Sequence, residues 1–126
     1  MSGGPLAFYA PLKAPDDAMP SGDRRMARLF LAALERAGYR PEIACRIRTF
    51  DGSGDKTIQA RLRAEGEREA ERLVAAYGAL APAQRPRAWF TYHVYYKAPD
   101  WTGPRVAAAL GIPYVVAEGS RAPKRA

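Results

Sequence analysis

The sequence is poor in the residues that staple small proteins or hold metals: its 126 residues include one cysteine, Cys45, and one histidine, His93. A single thiol excludes an internal disulfide framework and a cysteine-cluster zinc site, and one imidazole leaves little to ligate a transition metal. No metal and no cofactor are therefore expected. No apolar run approaches the roughly 18–20 residues needed to cross a bilayer, and the amino terminus lacks a charged stretch followed by an apolar core. The expectation is a soluble, cytoplasmic protein, touching the inner face of a membrane at most peripherally. Also missing are the Gly-rich run ending in Lys-Ser/Thr of the P-loop, the Gly-x-Gly-x-x-Gly dinucleotide fingerprint and any internal repeat.

What is present fits one globular domain. Hydrophobic residues make up 48% of the chain and charged residues 26%, and a domain of this length buries about two thirds of the surface its unfolded chain exposes. The net charge of +7 suggests an anionic partner such as nucleic acid, phosphate or a lipid surface. Its placement argues against nucleic acid: the surplus is scattered over residues 24–28, 40–48, 85–87 and the carboxyl-terminal Arg121, Lys124 and Arg125, with no single basic stripe.

Residues 6–10 (LAFYA) form a short apolar run between Gly-Gly-Pro and Pro11, which reads as a buried strand. Residues 11–20, with three prolines, form a loop. Ser21 is placed to cap a helix, along which Met26, Leu29, Phe30, Ala33, Leu34 and Ala37 recur at helical spacing until Gly38 ends it. In residues 41–47 the alternation of Ile43, Cys45 and Ile47 predicts a second strand. Residues 51–55 read as a turn-rich link, followed by a second helix whose apolar face carries Ile58, Leu62, Leu73, Tyr77 and Leu80. Glu65, Glu67, Glu69 and Glu71 scatter around that helix and read as a solvated face, not a metal site. A strand over residues 88–93, a helix from about residue 100 to 110 closed by Gly111, and a strand over residues 113–118 complete a β-α-β-α-β-α-β order. Strands alternating with helices and lacking tight hairpins imply a parallel sheet: a three-layer Rossmann-like α/β domain over residues 1–118. Residues 119–126 read as a basic tail or the start of a further helix.

In such sheets ligands bind outside the carboxyl ends of the strands, so the loops after strands one, three and four are the places to look. The first ends in Ser21, Gly22 and Arg24, where Gly22 allows close backbone approach and free N–H groups at the helix start suit an anion. The third gathers Tyr92, His93, Tyr95, Tyr96, Lys97 and Trp101; tyrosine and tryptophan rings offer flat apolar surface with polar edges, suited to sugar rings or nucleobases. His93 is a candidate proton-transfer or hydrogen-bonding group, and a packed structural histidine is its plain alternative. The fourth places Glu118 and Ser120 after the last strand. No serine lies where His93 and an acid complete a triad, and no carboxylate pair for hydrolysis is apparent.

With these loops in view, the segments FYAP, PSGDRRMARLFLAALERAGYRPEIACR, WFTYHVYYKAPDW and GPRVAAALGIPYVVAEGS, taken in order, resemble the amino-terminal, acceptor-side domain of GT-B retaining glycosyltransferases of the family 4, or group 1, type. By that likeness Ser21-Gly22 corresponds to the family's Gly-Gly loop near the donor phosphates and acceptor, with Ser in place of the first Gly. His93 corresponds to a histidine of the family's His-x-His segment at the cleft mouth. The resemblance implies transfer of a sugar from a nucleotide-sugar donor to a hydroxylated acceptor, a polysaccharide or glycolipid. It also implies a second, carboxyl-terminal Rossmann-like domain holding the donor, without which this domain is inactive. The alternative expectation, from a different class, is a non-enzymatic basic α/β module that binds nucleic acid or anionic lipid.

Overall fold

A computed structural model describes residues 3–15, 18, 22–94 and 97–119, without the side chains of Asp23 and Glu118. Strands β1 (Gly4–Tyr9), β2 (Tyr39–Cys45), β3 (Trp89–Val94) and β4 (Tyr114–Gly119) form one sheet in the order β2-β1-β3-β4, and every pairing is parallel. Helices α1 (Gly22–Arg36), α2 (Lys56–Gly78) and α3 (Gly103–Leu110) supply the crossovers, with a short 3-10 turn at Pro82–Gln84. The expected element order and parallel α/β architecture are thus present, as a Rossmann-like half-domain.

All six residues of β1 are buried, as a central parallel strand requires. On one face of the sheet α2 and α3 bring Ala70, Leu73, Val106 and Ala107 against Ala7, Tyr9, Cys45 and Trp89. On the other, α1 seats Ala27 against Phe8, Ala10 and Tyr92, with Phe30, Leu31 and Leu34 packed around them. The buried stripe of α1 therefore differs from the expected one. Met26 and Leu29 are 40% and 55% exposed, because α1 is apolar around more than half its circumference and only one side meets the sheet. At β4, an edge strand, Val115 and Val116 are 41% and 40% exposed, so the expected coverage of both sheet faces stops short of this edge.

The alternation expected of Ile43, Cys45 and Ile47 is also broken. Phe8 is in register with Ile43, but Tyr9 is in register with Cys45, an irregularity that inserts Ala44. A bulge of this kind reverses which face the following residues take. Cys45 and Ile47 consequently belong to the core beneath α2 and α3, where the Tyr9 hydroxyl donates to Ile47 O at 2.6 Å.

Helix α2 starts where the sequence placed it: Asp55 Oδ1 accepts from the N–H groups of Thr57 (2.8 Å) and Ile58 (3.2 Å). Its glutamates are not a uniformly solvated face. Glu67 receives Arg63 of its own helix (2.9 Å) and Arg105 of α3 (3.0 Å), and Glu69 receives Arg72 (2.6 Å). Leu80, expected on the apolar face, lies beyond the helix and is exposed. In mid-helix, Gly66 of α2 lies against the segment that leads into α3. A Cβ there would lie 2.7 Å from Trp101 Cβ, and Thr102 Oγ1 donates to Gly66 O at 2.9 Å.

Two predictions follow from this packing. Gly66→Ala, which in an exposed helix would stabilise by ~1 kcal/mol, instead lowers the unfolding free energy by ~1–3 kcal/mol by overpacking, as read by urea denaturation. Burial pushes the Cys45 thiol from its ordinary 9.0 up to about 11, partly opposed by hydrogen bonding to the Ile47 backbone. The folded chain therefore holds that proton to higher pH than the unfolded chain, and the associated stability is lost as pH rises from about 9 towards 11. The urea midpoint should fall over that window, less steeply in Cys45→Ala.

Candidate functional site

From β1 the chain crosses to β2 at one edge of the sheet, then returns past β1 to β3, so the direction of winding reverses between β1 and β3. In open α/β sheets ligands bind outside the carboxyl ends of the strands at such a reversal. At this place the loops after β1, β2 and β3 are laced together. Thr49, 1% exposed, donates its backbone N–H to Pro11 O at 2.9 Å and its hydroxyl to Pro99 O at 2.6 Å. Arg48 Nε donates to Leu12 O at 2.9 Å, and Asp51 N–H donates to Lys97 O at 2.8 Å. The segment following β2 thus ties the other two loops into one rim.

The loop after β3 is anchored from beneath by Asp100. Its Oδ1 accepts from the N–H groups of Thr102 (3.0 Å) and Gly103 (2.7 Å), capping α3. Its Oδ2 accepts from Thr91 Oγ1 and the Tyr114 hydroxyl, each at 2.7 Å, and Thr91 Oγ1 in turn accepts from Trp89 Nε1 at 2.7 Å. Burial first, and the Asp100 charge second, hold the Tyr114 phenol well above its usual range, so it remains a donor. A Cβ on Gly103 would collide with Trp89 Nε1, which restricts that position to glycine.

His93 sits on this rim with φ of 68°, the left-handed region that a side chain with a Cβ rarely adopts. Its ring centroid lies 5.5 Å from that of Tyr92. Strand pairing continues on both sides of it, with Tyr92 opposite Ala117 and Val94 opposite Gly119, so the turned residue is a local kink inside β3.

The other expected site residues are distributed unevenly. Gly22 and Arg24 open α1 at the same sheet end; a Cβ on Gly22 would meet nothing within 4 Å, so packing does not demand glycine there. Tyr92, expected as part of a stacking wall, is a core residue 4% exposed, its ring 5.1 Å from Phe30. The alternation of β3 turns it under α1. Glu118, expected where the fourth strand gives way to its loop, lies within β4. Ser21, Tyr95, Tyr96 and Ser120 fall outside the described residues. Lys97 is half-buried and lines a cavity that sequence reasoning did not anticipate. This cavity, about 230 Å³, lies between the loops after β2 and β3 and the start of α2, with Thr49, Asp51, Gln59, Leu62 and Trp101 among its walls. The Asp51-Gly-Ser-Gly-Asp stretch was the available signal; its glycines and turn formers made it read as a simple link. No group of His, Cys, Asp and Glu side chains among the described residues is placed to hold a metal ion.

The chain matches no protein-family model, no curated protein and no solved structure.

The left-handed backbone at His93 makes a prediction that separates backbone from imidazole. His93→Gly leaves stability within ~1 kcal/mol of the parent, because relief of the strained φ offsets the added chain entropy. His93→Val, β-branched at the same φ, lowers it by ~1–3 kcal/mol. Equal losses in the two variants by urea denaturation would show that the imidazole contacts, and not the backbone, set the energetics of this position.

Proposed function

We propose that this chain is the acceptor-side domain of a glycosyltransferase that moves a sugar from a nucleotide-sugar donor to a hydroxylated acceptor, a polysaccharide or glycolipid. The observation that carries the reading is the laced rim at the winding reversal, with the chain's one imidazole held there in a strained backbone conformation. Strain of that kind persists where surrounding structure over-determines it and concentrates at functional sites. The family resemblance of the ordered segments supplies the chemistry.

In this reading His93 orients an acceptor hydroxyl, and the first turn of α1, with Ser21, Gly22 and Arg24, faces the donor phosphates. Tyr95, Tyr96, Lys97, Glu118 and Ser120 complete the polar and aromatic wall around the acceptor. Glycosyl transfer requires the donor's anomeric carbon to be held against the acceptor hydroxyl and the charge on the departing diphosphate to be stabilised. This domain provides one wall, and a second Rossmann-like domain provides the other.

The engagement of six of the sixteen arginines favours this reading over a nucleic-acid or lipid-binding module. Arg28, Arg48 and Arg85 donate to backbone carbonyls, and Arg63, Arg72 and Arg105 are paired with glutamates. Guanidinium groups so committed contribute little to the counterion release that drives backbone binding of nucleic acids. No described helix is long and apolar enough to cross a membrane.

Titration of the labelled protein with UDP-glucose or GDP-mannose, alone and with an acceptor glycan, tests the proposal. Amide shifts are expected at Gly22, Arg24 and His93. Shifts confined to the opposite sheet end, at Gly4, Tyr39 and Ala88, would remove it.

A further inference from the structure

The two edges of the sheet are built differently. The outer edge of β2 carries Arg40, Pro41 and Glu42, and the irregularity at Ala44 distorts it. Proline has no N–H to offer a neighbouring strand, and charges and bulges along an edge discourage pairing. At the other edge β4 has none of these devices. Its six residues, Tyr114–Gly119, include no proline, lysine or arginine, and among the described residues no strand pairs with its outer side.

The ladder determines which backbone groups face outward. Trp89 N–H donates to Pro113 O at 2.9 Å, so residue 113 turns its backbone towards β3. With the register running from Trp89 opposite Tyr114 to Tyr92 opposite Ala117, the same holds at Val115 and Ala117. The N–H and C=O groups of Tyr114, Val116 and Glu118 therefore point away from the sheet. The flanking side chains are apolar on both faces. Val115 lines a groove of about 320 Å³ with Leu34 and Phe90 on the α1 face, Val116 lies on the α3 face, and both are exposed. A row of outward backbone groups between exposed valines recognises one kind of ligand, an extended strand.

Charge narrows the choice of strand. Residues 106–119 hold a single charged residue, Glu118, in a chain whose net charge is +7. The surplus positive charge is thus kept off this edge, and the strand that suits it is short, apolar and nearly neutral. The β4 strand of a second copy has that character, whereas β2 of a second copy, with Arg40 and Pro41, does not. Pairing of unlike edges, which would propagate into a filament, is thereby closed, and pairing of like edges about a two-fold axis stops at two chains.

We propose that the chain self-associates through β4, which pairs antiparallel with β4 of a second copy and joins two four-stranded sheets into one. With the axis at Val116, that residue exchanges N–H and C=O with its own copy, Tyr114 does so with Glu118 of the second copy, and Val115 packs on Ala117 across the axis. The edge lies to the side of the loops that follow β1, β2 and β3, so the inference stands apart from the function proposed above.

Sedimentation velocity of the full chain from micromolar to submillimolar concentration, with amide hydrogen exchange at both ends of that range, is the test. The mass is expected to rise towards twice that of the chain, more readily at high salt, which screens the repulsion between copies of like charge. Dimerisation slows exchange about tenfold at Tyr114, Val116 and Glu118, while Val115 and Ala117, already turned to β3, change little. Val116→Pro removes an outward N–H without touching the ladder to β3 and abolishes the dimer. Val116→Lys, which sets two like charges together at the axis, does the same and serves if the proline variant fails to fold. Arg40→Glu, on the β2 edge, leaves the dimer intact. A chain that stays monomeric, a dimer that salt dissolves or that survives both Val116 variants, or slowing without the alternation along β4 overturns the inference. Slow exchange at Tyr114 and Val116 already in the monomer also overturns it, since residues 120–126 would then cover the edge themselves.

Discussion

The Asp100 carboxylate joins a helix start and two strands of the sheet. One oxygen caps α3 and the other receives hydroxyls from β3 and β4, so a single planar group fixes the distance between a helix start and two neighbouring strands. Two residues on, Thr102 carries the chain of contacts into α2 through Gly66 O. Charge-assisted hydrogen bonds in a partly buried network polarise one another, and a network with every member satisfied specifies one arrangement where an apolar contact would tolerate several. The loop bearing Lys97, Pro99 and Trp101 hangs from this anchor. The geometry of the cavity beside it is therefore inherited from the core.

The rim above that anchor is built mainly from backbone carbonyls. Pro11, Leu12, Lys97 and Pro99 each present an oxygen that the segment following β2 satisfies. Loops that end strands expose carbonyls with no ladder partner, and leaving them unmet away from water costs as much as losing a hydrogen bond. Threading the β2 segment through the two neighbouring loops meets that cost and stiffens all three together. Such stiffness is what a binding edge needs if ligand contacts are not to be spent on ordering the loops.

Much of the fold was legible in the sequence because it rests on local signals. The all-apolar central strand, the start of α2 near Asp55 and the stop at Gly111 each follow from a few adjacent residues. What escaped was set by contacts between distant segments. Nothing in Met26 or Leu29 says which side of an apolar helix will face the sheet. The extra residue at Ala44 is invisible to a period-two pattern that continues through it. Gly66 reads as a weak point in a helix until Trp101 and Thr102 are found against it. The candidate site divides in the same way. His93 and Lys97 were picked out from their place at the carboxyl end of a strand, and both lie near that end of the sheet, whereas Tyr92 was assigned to a binding wall because aromatic content does not reveal which side of β3 a ring takes. Asp51 was passed over because a turn-rich link carries no mark of what folds over it, and Gln59 because it is one polar residue among many along α2.

The strain at His93 can be weighed against what surrounds it. A left-handed residue with a Cβ costs roughly 1–2 kcal/mol, whereas burying an aromatic side chain contributes ~1.5–3 kcal/mol. Tyr92, packed against Phe30, and the strand pairing that resumes at Val94 fix the chain on either side of position 93. Between these two fixed points the backbone has to turn, and the neighbours can sustain the cost. Glycine would make the same turn with less strain. The imidazole at the winding reversal is consequently held against the backbone's own preference. The imidazole also contacts the Tyr92 ring, with 5.5 Å between centroids, so part of what histidine offers here is packing within the fold.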